Sequence, residues 1–402
     1  MTLVSRKPDS TDISNGPADR HCRDATRTAA LDRSVAELSP IAFSSLPRAD
    51  QRRKGLMYLH GLLGATGKKS VRNIAAFLGD QVNDQGLHHF INDSTWEWGP
   101  MREALGRHLV RRLPPQAYIL HPMLIPKSGT QSVGVTRTFS WERGQAITAQ
   151  QVIGVWGVSA CTVFPLNWWL HLPSHGPGDG RTSVLHEAGP TTPEDSVVSA
   201  YLETAWRLRL THCPVTLNAD RLDGIKVVAK LGAAGLNHIT SIAKDTWLLP
   251  DDPTLPGWGE RPLQASKIAQ LAKMSHKHLA PIASGGPDTT ELFATVRVRL
   301  PTVLDTTEHT YGGGDLLLLG IGRGGAQWPE QLWLTDMTKA DRGALLRLVV
   351  LSRRVERCGV PRAERVGIGD FAGRSFAGWH RHATLASVAY AATELAEHTL
   401  AT

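Results

Sequence analysis

Cysteine is scarce in this chain. Four occur in 402 residues (Cys22, Cys161, Cys213 and Cys358), far apart and with no CxxC pair. That spacing excludes a disulfide framework or a cysteine zinc site and reads as reduced thiols in a cytosolic protein. Long apolar runs are lacking as well. No signal-type segment opens the sequence, and runs such as 316–321 fall far short of the ~20 residues that span a bilayer. A cytoplasmic protein with no membrane partner is expected. Internal repeats are absent. So is any carboxylate between Leu113 and Glu142, an absence with chemical consequences.

What is present is an excess of positive charge. Lys and Arg number 44 against 37 Asp and Glu, for a net +7 and a pI near 9.4. Such a balance favours a polyanionic partner, nucleic acid above all. The length suits a small helical module plus one larger domain. Residues 1–44 begin with a stretch rich in Ser, Thr, Asp and Arg and poor in large apolar side chains. They are expected to be a disordered tail. Residues 45–113 carry helical periodicity (GLMYLHGLL, VRNIAAFLG, then a run from 86 to 113), and Pro114-Pro115 ends the module. Ser94 and Thr95 are placed to cap the helix that starts near Glu97. Residues 114–402 then begin with short β-rich runs, continue through strand-like stretches and Pro/Gly loops at about 225–335, and return to a helix over roughly 339–358.

Two acids stand out from their surroundings. Asp220 closes the apolar stretch PVTLNAD, where a ligand would sit at a sheet edge or where an Asp would cap the next turn. On an ideal helix Glu356 falls within about 20° of Leu345 and Val349, inside the stripe formed with Leu348 and Val355. A carboxylate there calls for a partner, unless Gly359 ends the helix and Glu356 pairs with Arg353 or Arg357. Basic clusters occur at Arg52-Arg53-Lys54, at Lys68-Lys69 with Arg72, at Arg107 with Arg111-Arg112, and along Arg347, Arg353-Arg354, Arg357, Arg362 and Arg365. His380 and His382 are two apart and diverge on a helix, so with Arg381 and Trp379 they order the C-terminal segment or contact phosphate rather than bind metal. Trp96, Trp98 and Trp379 lie beside charge, where they could stack on an unpaired base.

The run GRSFAGWHRHATL at 373–385 resembles the C-terminal segment of bacterial insertion-sequence transposases of the DDE endonuclease superfamily. Upstream, GLL at 61–63, KKS at 68–70, NIAAFLG at 73–79, LHHFINDSTWEW at 87–98, SVGV at 132–135, PLNWWLHLP at 165–173 and NAD-x-x-x-G at 218–224 are similar to that family in the same order. The resemblance implies an α/β fold, an RNase H-like core with a β-rich insertion, preceded by a small helical DNA-binding domain. It implies double-stranded DNA as partner, a nucleoid-associated location, and compatibility with a homodimer. Asp220 and Glu356 match the second and third acids of a Mg²⁺-binding triad, as catalytic and metal-ligating positions.

The first acid departs from the pattern. Where the family carries an Asp-Asp pair before the sequence read here as IPKSG, this chain has His121 and Pro122. Ser352, Arg353 and Ala363 also replace expected neighbours of the glutamate. The resemblance therefore implies a DNA-binding protein of transposase descent without intact catalysis, decayed or recruited to a role such as transcriptional control. Any metal at Asp220 and Glu356 would be weakly held, and Mg²⁺ would be needed only for catalysis. DNA contacts are expected at Arg52, Arg53, Lys54, Lys68, Lys69, Arg72, Arg353, Arg354, Arg374, His380 and Arg381. The alternatives are an active transposase drawing its missing acid from Glu142 or Asp223, and a structural or protein-interaction module that has left DNA behind.

Overall fold

The computed structural model describes residues 17–79, 82–140, 143–172, 192–210, 213–255, 261–274, 280–283, 290–301, 314–323, 325 and 327–401. Its first departure from expectation is at the N-terminus. Residues assigned to a disordered tail form helix α1 (Pro17–Ala42), with Val35, Leu38 and Ala42 buried; 1–16 lie outside the described residues. Few large side chains suffice because α1 packs along α11 (Phe376–Ala401). That helix is alanine-rich and buried around most of its circumference. A helix of this kind is stable only inside a protein, and its small side chains let neighbours approach closely.

The helical module comprises α2 (Ala49–Gly64), α3 (Val71–Leu78), α4 (Asp84–Asn92) and α5 (Trp98–Arg112). Ser70 caps α3 by accepting from Asn73 N, and Asn83 caps α4 by accepting from Gln85 N. Helix α5 starts after Glu97 without the expected side-chain cap. Helices α2, α4 and α5 pack on α11, so the module shares one apolar core with the sheet.

Strands β1 (Ala117–Pro126), β2 (Val135–Ser140) and β4 (Val163–Leu170) each pair antiparallel with the long β3 (Gln145–Val158). Helix α6 (Pro193–Leu208) crosses to β5 (Val215–Leu217), and α7 (Gly224–Ala233) crosses to β6 (His238–Ile242). In space the order is β4-β3-β1-β5-β6, with β1, β5 and β6 parallel to one another. Parallel neighbours need such helical crossovers. This order and direction are those of an RNase H-like core, and the α/β class follows.

The β-rich insertion is present with a shifted boundary. Strand β6 belongs to the core, so the insertion begins after 242 and not near 225. It consists of β7 (Trp247–Pro250), β8 (Leu263–Gln264), α8 (Ala265–Met274), β9 (Ala280–Ala283), β10 (Thr290–Arg299), β11 (Leu316–Gly322) and β12 (Gln331–Thr335). Strand β12 pairs antiparallel with β6, which makes the insertion an extension of the same sheet. Its apolar residues form a second cluster around Trp328, Leu318 and Ile268.

Helix α9 (Arg342–Arg354) begins at Asp341, whose carboxylate accepts from Ala344 N. Gly359 does not end it. The chain continues through a π turn (Val355–Gly359) into α10 (Val360–Arg365). Pro361 explains the widening, since it offers no N–H and its ring crowds the carbonyl four residues back. Val360 N accordingly bonds Val355 O. A Cβ at Gly359 would sit 2.9 Å from Val163 Cγ1, so the glycine serves close packing on β4.

Candidate functional site

Strand β5 is buried along its length, and the chain leaves it at Asn218. Ala219 N donates to Ser241 Oγ at 2.7 Å, and Ser241 Oγ donates to Asn218 Oδ1 at 2.8 Å. With its oxygen engaged, the Asn218 amide nitrogen faces the other way. It donates to Asp220 Oδ2 at 3.0 Å and to Glu356 Oε1 at 2.9 Å. Both carboxylates thus meet one nitrogen atom, although they come from distant parts of the chain. The following turn depends on Gly224, because a Cβ there would lie 2.6 Å from Ser241 O. Asp223, proposed as a substitute acid, caps α7 by accepting from Ile225 N and Lys226 N. Glu142 lies outside the described residues.

Glu356 is exposed and outside the apolar stripe assigned to it, although Leu345, Leu348, Val349 and Val355 are buried as expected. The ideal 100° step fails here because the π turn rewinds the helix at that residue. Its observed partner is Asn218.

On β1, Tyr118 packs its ring against Tyr201 of α6. Strand alternation places Pro122 on that same face, while His121 takes the opposite face with Asn218. Of the two positions matching the missing acid, His121 is therefore the one on the Asp220–Glu356 side. Pro122 is also less disruptive than a central strand would suggest. Tyr118 N points to the β5 side, so the ring nitrogen of Pro122 does too, and the β1–β5 ladder has already ended at Leu120–Leu217. Among the described residues no group of three or more His, Cys, Asp or Glu is arranged to hold a metal.

Several residues expected on a DNA-facing surface are interior. His380 is buried, stacks on Trp98 with centroids 4.9 Å apart, and lies against Arg102. Burial and the Arg102 charge hold its imidazole well below the usual histidine range. Arg102 is itself buried, with Asn167 Oδ1, Trp168 O, His380 O and Thr384 Oγ1 as acceptors, and burial lowers it to about 10. Arg381 donates to Ile91 O, Asn92 O and Trp96 O, saturating the carbonyl end of α4. Trp96 and Trp379 are buried, and Trp98 is engaged by His380. The run GWHRH thus orders the C-terminal segment, joining α11 to the helical module, and the alternative of phosphate or base contact does not hold for the buried Trp379, His380 and Arg381.

Lys69 is also buried, with Nζ donating to Ala65 O and the backbone N–H to Asp370 Oδ2. Arg353 donates to Gln331 Oε1, Arg354 to Ala160 O and Cys161 O, and Arg362 pairs with Glu394 and Glu397. Arg52 donates to Leu46 O and Pro47 O, Lys54 lies 4.0 Å from Asp50, and Arg107 pairs with Glu103. Arg53, Lys68, Arg72 and Arg374 are exposed.

Asn218, Ser241 and Lys127 carry geometry that residue-type reasoning passed over. Lys127 Nζ donates to Gly369 O and Phe371 O, tying the end of β1 to the loop before α11. Burial, reinforced by Lys68, lowers it to about 8. It lines a polar cleft of about 470 Å³ with Lys68, Ser128 and Asp370. The adjacency of Asn218 to Asp220 in NAD was a usable signal; Ser241 had none.

No curated protein matches this sequence. A piggyBac transposase, solved in a synaptic complex with hairpin DNA, is similar at a TM-score of 0.41 and 10% identity, covering 95% of this chain and 77% of that one. No helix of the described residues is long and apolar enough to cross a membrane. Residues 42–208 are similar to the DDE superfamily endonuclease family, whose model they match.

Proposed function

We propose that this chain is a DNA-binding protein of transposase descent, related to insertion-sequence enzymes, whose strand-cleaving chemistry is lost or severely weakened. One observation carries the reading: the β1 position on the Asp220–Glu356 face is His121. Two-metal phosphoryl transfer needs hard oxygen donors that can bridge cations about 3.5–4 Å apart. A neutral imidazole offers one lone pair and cannot bridge. Without that carboxylate, the mutual repulsion of two dications is less well offset. The donor set therefore does not fit a two-metal centre.

DNA binding rests on the net charge and on the residues whose side chains are exposed. Arg52, Arg53, Lys68, Arg72 and Arg374 are exposed, and these are the phosphate contacts the reading assigns, in a chain that is decayed or recruited to another DNA-linked role. Duplex fragments selected from genomic DNA by the purified chain supply the test. Affinity should fall by orders of magnitude between about 50 and 200 mM salt, with no Mg²⁺- or Mn²⁺-dependent cleavage of the recovered fragments. Binding indifferent to salt would overturn the DNA reading. Robust cleavage abolished by Asp220→Ala would overturn the loss of chemistry.

A further inference from the structure

We propose that Asn218 is a positioning residue whose side-chain amide stands in for a divalent cation as the tie between Asp220 and Glu356. This does not depend on what the protein binds, because it rests on hydrogen-bond geometry alone. The two carboxylates project from different elements, the β5–α7 turn and the π turn after α9, and both converge on Asn218 Nδ2, at 3.0 and 2.9 Å. Two like charges brought to one point repel unless something positive lies between them. Here that role falls to the two amide hydrogens, each aimed at one acid.

Chemistry settles which end of the amide faces the acids. Ionised carboxylates only accept hydrogen bonds, so an amide oxygen turned towards them would leave three acceptors facing one another. Ser241 enforces the same orientation. Its Oγ already accepts from Ala219 N, which directs its own hydrogen to Asn218 Oδ1. A cation placed between Asp220 and Glu356 would meet the N–H groups of Asn218 rather than an oxygen. To admit it, the amide would have to swing away and give up its bond from Ser241. The metal-ligating role expected of the two acids is thus met in this chain by an organic donor.

The proposal makes Asn218→Asp informative, since it replaces the central donor by a third carboxylate and turns the clasp into a cation site. The full chain, stripped with chelator and free of DNA, would be titrated with Mn²⁺ by electron paramagnetic resonance and by thermal melting. Asn218→Asp should bind Mn²⁺ at least about tenfold more tightly than the wild type, since it removes the N–H groups facing the cation and adds a third anionic oxygen donor beside Asp220 and Glu356. Its Tm should rise with Mn²⁺ while that of the wild type stays level, and adding Asp220→Asn should remove the gain. Wild-type binding as tight as the variant's, lost in Asp220→Asn, would overturn the proposal, as would an Asn218→Asp variant that gains nothing. Should that variant fold only with Mn²⁺ present, the rescue itself supports the inference; failure to fold under either condition passes the decision to a second measurement. In cation-free buffer Asn218→Ala and Glu356→Ala should each lower Tm by roughly 2 °C, and the double variant should lose no more than either alone. Additive losses would show that Asn218 and Glu356 are not coupled and would refute the clasp.

Discussion

Tyr58 Oη and His382 Nδ1 lie 2.8 Å apart, across 324 residues of chain, and join α2 to α11 inside the core. The other imidazole nitrogen, Nε2, lies 2.7 Å from Gly367 O. A carbonyl can only accept, so Nε2 carries the proton and Nδ1 takes the Tyr58 hydroxyl hydrogen. Gly367 adopts φ +86°, and a Cβ on it would fall 2.5 Å from the Lys69 side chain, so no other residue fits. Tyr58→Phe should cost about 1–3 kcal/mol by leaving a buried imidazole nitrogen unsatisfied. Urea unfolding at pH 7 measures it; a loss below the scatter of the fit would show that the bond contributes nothing.

Burial lowers His382 from 6.5 to about 4, and His380 lies well below 6.5 as well. The unfolded chain takes up these protons near pH 6.5 and the folded chain does not. Their contribution to stability is therefore complete above 6.5 and is lost as pH falls towards 4, by up to about 1.4 kcal/mol per pH unit for each histidine. Urea midpoints between pH 7 and 4.5 should drop with a slope that becomes shallower in His382→Leu. An unchanged slope in that variant would exclude His382 as a source.

Basic residues should divide by location. Lys68→Ala and Arg72→Ala, both exposed, should each weaken duplex binding and reduce the salt slope by about 0.9. Arg381→Met should lower Tm and leave the salt slope of the folded fraction unchanged, since its donors serve carbonyls of the interior. Filter binding across a salt series separates the two classes.

The two positions of the missing acid should also behave differently. His121→Asp adds a carboxylate on the Asn218 face and should raise Mn²⁺ affinity. Pro122→Asp points towards α6 and should not. Neither should restore strand cleavage alone, because Asn218 remains between the acids. Equal gains in Mn²⁺ affinity would mean that strand alternation does not hold in the middle of β1.

Gly224→Ala should destabilise the chain by about 1–3 kcal/mol, since the new methyl would lie 2.6 Å from Ser241 O, a backbone atom that cannot swing aside. The same change should loosen Asn218 through Ser241. Thermal melting of Gly224→Ala beside Gly235→Ala, whose glycine has positive φ but open space around it, separates close packing from backbone strain.

Much of this architecture was legible in sequence. Short β-rich runs bounded by Gly and Pro marked the strands β1 to β4, three runs of helical period marked 45–113 as helical, and NAD-x-x-x-G placed the turn after β5, because each signal is local. Helix α1 was not legible. Its own sequence buries little, and it is ordered by the alanine-rich flank of α11, more than 300 residues away. The insertion's start was misplaced for a similar reason: β6 is a core strand by virtue of pairing with β5, which no local pattern records.

Sequence alone carried the resemblance to DDE transposases, the presence of Asp220 and Glu356, and the lack of any carboxylate between Leu113 and Glu142, since these depend on residue identity at spaced positions. Tertiary structure decided what those residues do. GWHRH proved to be an interior latch, because Trp98, Arg102 and Tyr58 are brought against it by the packing of α2 and α5. Glu356 left its predicted stripe, because Pro361 forces the helix wider. Asp220 and Glu356 share a donor only because β5, β6 and α9 deliver Asn218, Ser241 and the π turn to one place, and such a meeting of distant segments is a property of the fold that no stretch of sequence contains.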